Sequence, residues 1–86
     1  MKGKMKTFET RDLYLSAYMV QNGFNLKGLK ASDNIVYFQF EDSSDREEIV
    51  MKFFNGQATV EPGSYMDAIK RLRILVKNKL HEVSKK

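Results

Sequence analysis

Lys70, Arg73 and Lys77 follow one another at intervals of three and four residues, so on a helix they stack along one flank. Cations in such a row suit a phosphate backbone, because each neutralised phosphate releases condensed counterions. His81 continues the row one turn later, and Ile74 lies beside it with Met66 at its start. Lys2, Lys4 and Lys6, together with Lys85 and Lys86, extend the row if the fold brings the ends close. The competing reading is the solvated face of an amphipathic helix.

Other chemistry has few ingredients. The chain has no Cys and only one His, which excludes disulfide scaffolds, thiolate zinc sites and Cys nucleophiles. A nucleophile needs an activating base within hydrogen-bond reach, and the single His81 sits near a terminus on the polar side of a helix. Glu47/Glu48 and Glu41/Asp42 are adjacent carboxylates, but neighbours on a helix do not face each other; helix capping explains them. Asp42, Asp45 and Glu48 offer oxygen ligands without the Gly and terminal Glu of a calcium loop. Gly23, Gly28, Gly56 and Gly63 are scattered, so no phosphate-cradling loop forms. No catalytic residue, metal site or cofactor is expected, and the chain reads as a non-enzyme.

The elements that must position the basic row follow from periodicity. A helix is predicted over 11–22, with Thr10 as N-cap and Gly23 past its end. Its residues are apolar nearly all round, which demands burial on more than one side. Either the helix lies between a sheet and the last helix, or Tyr14, Leu15, Tyr18 and Met19 meet a second copy in a two-fold homodimer interface. The second outcome is the one expected here, because one small sheet should not cover so much apolar surface. A hairpin follows, with strands over 24–31 and 35–41 joined by Ser32-Asp33-Asn34. In the second strand Val36, Phe38 and Phe40 alternate with Ile35, Tyr37 and Gln39, and the Val36 set is assigned to the core. The strand is aromatic, as RNA-binding strands are, but lacks their Gly-aromatic-Gly lead-in; Tyr37 is its one residue placed to stack on a base.

A second helix is predicted over 45–55, with Ser44-x-x-Glu47 as capping box, then a third strand over 57–61. The last helix starts after Ser64 and carries Tyr65, Ala68, Ile69, Leu72, Leu75, Val76, Leu80 and Val83 at helical spacing. The order is α-β-β-α-β-α. The fold class is α+β, a small antiparallel or mixed sheet of two to three strands with helices packed on one face. One domain over 7–83 is expected, with disordered basic tails at 1–6 and 84–86.

Length and charge agree with this. The chain has 86 residues, 42% of them hydrophobic and 30% charged, as in an ordinary globular domain. No apolar run is long enough to span a bilayer, and no signal peptide or lipidation motif is present, so a cytoplasmic location without membrane contact is expected. The net charge of +4 hides segregation: residues 1–6 carry +3, residues 7–65 carry −4 and residues 66–86 carry +5.

Several blocks also resemble a known family. They are Phe8-Glu9-Thr10-Arg11-Asp12-Leu13-Tyr14-Leu15, Gly23-Phe24, Val36-Tyr37-Phe38-Gln39-Phe40-Glu41-Asp42, Phe53-Phe54-Asn55-Gly56 and Tyr65-x-x-Ala68-Ile69-Lys70-Arg71-Leu72-Arg73. Together they resemble a family of small uncharacterised bacterial and phage proteins, classed as a domain of unknown function. Thr-Arg-Asp-Leu-Tyr and Phe-Asn-Gly are the most specific blocks. The resemblance implies a single-domain prokaryotic or phage protein and carries no activity, cofactor or catalytic residue. Arg11 and Asp12 are explained by capping and charge pairing. The leading expectation is a binding module that contacts nucleic acid through Lys70, Arg73 and Lys77. The alternative is a protein-interaction module, such as a phage-encoded modulator of a host protein, using exposed apolar and acidic surfaces.

Overall fold

Strict alternation in Ile35-Val36-Tyr37-Phe38-Gln39-Phe40-Glu41 makes the central strand of the sheet. In the computed structural model, which describes residues 6–84, the elements are β1 (Thr7–Thr10), α1 (Leu13–Gln21), β2 (Leu26–Ser32), β3 (Ile35–Glu41), α2 (Arg46–Phe54) and α3 (Pro62–Ser84). β1 and β2 both pair antiparallel with β3, giving a three-stranded sheet in the order β1-β3-β2. Val36, Phe38 and Phe40 are buried, as the alternation predicts, while Ile35, Tyr37 and Gln39 stay half-buried on the outer face. The helices pack on the inner face, and the class is α+β. The β2–β3 turn is tight: Ser32 pairs with Ile35, and Asp33 and Asn34 adopt φ of 53° and 66°. Asp and Asn tolerate this left-handed geometry better than most residues.

The third strand is not where periodicity placed it. Residues 57–61 form no strand; Ala58 and Val60 line a cleft against Tyr18, Phe53 and Tyr65 instead. The missing edge is supplied by Thr7–Thr10, which puts Phe8 opposite Phe40. The observed order is therefore β-α-β-β-α-α. Because Thr10 is held in β1, it cannot cap α1. Asp12 does so, accepting from the backbone N–H groups of Tyr14 and Leu15, both at 3.0 Å. The capping box at Ser44 does not form either: Asp45 occupies the cap without a side-chain bond. Asp42 organises that turn, accepting from Ser43 N–H at 2.8 Å and from Arg46 Nε at 3.0 Å.

The core answers the question of the first helix. Leu15, Tyr18 and Met19 are 1%, 4% and 0% exposed within the single chain. Leu15 and Met19 join Phe38, Phe40, Ala68, Ile69 and Leu72 in one cluster. α2 covers the side that seemed to need a second copy, with the Phe53 ring centroid 5.8 Å from that of Tyr18. The Tyr14, Leu15, Tyr18, Met19 dimer interface is thus corrected: three of the four are already spent in the chain's own core. Tyr14 alone is exposed, at 48%. Each such side chain removed from water contributes about 1.5–3 kcal/mol.

Of the expected tails, residues 1–5 and 85–86 lie outside the described residues. Lys6 is tied in, its carbonyl accepting from Asp42 N–H at 2.9 Å, and Ser84 ends α3. Among the described residues, no helix is long and apolar enough to cross a membrane.

Candidate nucleic-acid interface

α3 is the longest element, with 23 residues, or about 35 Å at the helical rise. Pro62 opens it, where a missing N–H costs nothing. Glu61 Oε1 accepts from Ser64 N–H at 2.7 Å, so Glu61 takes the capping role that the sequence suggested for Ser64. That bond and those from Ser64 Oγ and Gly63 N–H hold the Glu61 carboxyl below its usual range. Ala68, Ile69 and Leu72 form the buried arc, continued by half-buried Val76 and Leu80.

The remaining arc carries the basic row. Lys70, Arg73 and Lys77 are all exposed along one flank. Lys70 and Lys77 lie nearly opposite Leu72 on the helical wheel, separated by about 10 Å along the axis. Arg73 sits nearer the boundary of the buried arc, and its Nη2 donates to the Tyr14 hydroxyl at 3.2 Å. Tyr14 is fixed from the other side, since Tyr65 Oη donates to its carbonyl at 3.0 Å. Burial, then the nearby Asp12 carboxylate and Tyr14, push the Tyr65 phenol up, which keeps it a donor. Ile74 and Met66, 57% and 51% exposed, interleave with the cations.

Among the described residues, no carboxylate pairs with a cation of this row. Among the described residues the ion pairs are Asp42–Arg46 at 3.0 Å, Glu48–Lys52 at 3.8 Å and Glu82–Lys79 at 3.6 Å. Lys70 and Lys77 make no hydrogen bond or ion pair with a described residue, and the partner of Arg73 is a neutral hydroxyl. Three uncompensated cations on one helical flank can neutralise phosphates without first breaking an internal pair.

Of the N-terminal lysines, only Lys6 is among the described residues, and it does not extend the row. Lys2 and Lys4 lie outside the described residues. Lys6 sits at the other end of the sheet beside Asp42, because β1 pairs Thr7 with Glu41. The hydrogen bond from Arg46, then that from Ser43 N–H, with the Lys6 charge as the smallest contribution, hold the Asp42 carboxyl below the ordinary range. Arg46 also stacks over Phe8, 4.5 Å from the ring centroid. Asp42 is therefore committed to its partners, and among the described residues no three His, Asp or Glu side chains gather to hold a metal ion. Tyr37 lies on the outer sheet face, away from the helical layer, and does not join the α3 flank.

One cation was missed by sequence reasoning. Arg11 was explained by charge pairing, but it makes no ion pair with a described residue. Instead it lines the same groove as Arg73. Asp12 beside it caps α1 in place of Thr10. Nothing local signals that Arg11 and Arg73 line one groove, which depends on how α1 docks on α3.

No curated protein and no solved structure matches this chain. Residues 5–78, most of its length, match a family described as Domain of unknown function (DUF5659), and the chain belongs to that family.

Proposed function

We propose that this chain is a non-enzymatic prokaryotic or phage binding module whose α3 flank contacts the phosphate backbone of nucleic acid. The observation that carries the reading is the uncompensated row of Lys70, Arg73 and Lys77 on one exposed flank of the longest helix. Such contacts position a protein on a nucleic acid without reading its sequence, so affinity falls steeply with salt. A mobility-shift titration at two salt concentrations tests it. A shift at low salt that Lys70→Glu with Arg73→Glu abolishes is expected. No shift at low salt, or one unchanged in that variant, contradicts the reading.

A second reading rests on a separate observation. Met66 and Ile74 are more than half exposed on the same flank. Apolar anchors dominate protein interfaces, so a host protein is the competing partner. Ile74→Asp separates the two: it should weaken a protein partner strongly and nucleic acid only slightly.

A further inference from the structure

We propose that the groove between the start of α1, the β2–β3 hairpin and α3 binds a small aliphatic monocarboxylate, with Arg11 and Arg73 holding its carboxylate. The groove is open to solvent and has a volume of about 320 Å³. That places it at the small end of ligand sites, which start at roughly 300 Å³. Leu13, Val36 and Val76 are part of an apolar floor, and Arg11, Arg73 and Asn34 are the polar lining residues. Among the described residues, no Asp or Glu lines it. Arg11 makes no hydrogen bond or ion pair with a described residue, and Arg73 meets only the Tyr14 hydroxyl, at 3.2 Å.

Charge complementarity selects the occupant. Two guanidinium groups beside apolar surface and without a counter-charge favour an anion, and a planar fork matches a carboxylate in bidentate fashion. The apolar floor favours an apolar body joined directly to that anion. A sugar–phosphate chain satisfies the first demand and not the second. A medium-chain carboxylate satisfies both. Tyr14 serves as the positioning residue, since its hydroxyl restrains the Arg73 guanidinium without neutralising it. The inference shares Arg73 with the α3 reading and is distinguished from it by Arg11, which lies off that flank.

Octanoate is the probe, and octanol is its neutral counterpart with the same body. In an amide-resolved NMR titration of the full chain, octanoate should move the signals of Leu13, Val36 and Val76 together. Hydrogen bonds to charged groups are strong enough that Arg11→Gln should raise its dissociation constant about tenfold or more. Octanol binding should be unchanged by that substitution. Lys70→Glu with Lys77→Glu should leave octanoate binding intact whatever it does to nucleic acid, which separates this inference from the preceding one. Absence of shifts at millimolar octanoate, or shifts away from the groove, would overturn the proposal. So would equal octanoate affinity in the wild type and in Arg11→Gln with Arg73→Gln, two exposed positions whose change leaves the core untouched.

Discussion

Replacing Leu15 with Ala separates a helix buried in its own chain from one buried against a second copy. Leu15 is 1% exposed and sits in the cluster with Phe38, Phe40 and Leu72. Truncating a buried Leu removes its transfer free energy and leaves a cavity, costing about 2–5 kcal/mol. α1 is short and enclosed by α2, α3 and the sheet, so it has little freedom to collapse into the gap; about 3 kcal/mol is expected. A chain of this length has a total stability of about 4–13 kcal/mol. The loss is therefore a large fraction of the whole, and the melting temperature should fall by about 12–24 °C. Urea unfolding of both proteins at two widely separated protein concentrations is the assay. The midpoint of each should be independent of concentration, because folding here requires no partner copy. A loss below about 1 kcal/mol, or a wild-type midpoint that climbs with concentration, would refute the assignment of this helix to the chain's own core.

Two further predictions concern single groups. Arg46 holds Asp42 below its ordinary 3.8, so the stabilisation is present above the unfolded value and is lost as pH falls through the lower folded one. Arg46→Ala should move the Asp42 titration, followed by NMR, upward toward that ordinary value; a wild-type Asp42 already titrating there contradicts the pairing. Gly23 has φ of +86°, and a Cβ there meets nothing within 4 Å, so the cost of Gly23→Ala is purely conformational. It should be about 1–2 kcal/mol by denaturation. Gly23→Asn should cost less, and an equal cost for the two variants would contradict the conformational explanation.

Local pattern was enough for the elements that carry their own signal. β3 was legible because every second residue is a large apolar one, and α3 because its apolar residues recur at helical spacing. The Lys70, Arg73, Lys77 row was legible for the same reason, since one helix contains it. β1 was missed because four residues with a single core side chain, Phe8, give almost no alternation to read. Its pairing partner, Phe40, lies far along the chain. Residues 57–61 looked like a strand because Ala58 and Val60 alternate, yet both line a cleft with Tyr18 and Phe53 and join no sheet. Helix caps shifted where a neighbour took the role, as Thr10 yielded to Asp12 and Ser64 to Glu61. Burial of α1 by α2, the placement of Lys6 beside Asp42 and the presence of Arg11 and Arg73 on one groove are all products of docking. None leaves a mark in local spacing.

The central claim is that three cations of α3 neutralise phosphates, and the salt dependence of binding to duplex DNA counts them. Neutralising three phosphates predicts a slope of log affinity against log salt of about −2.7, so a fourfold rise in salt weakens binding about 40-fold. Lys70→Gln with Lys77→Gln leaves one contact. The slope should drop to about −0.9 and the same salt step should cost only about 3.5-fold. The same slope in both proteins, or no binding at low salt, would contradict the claim.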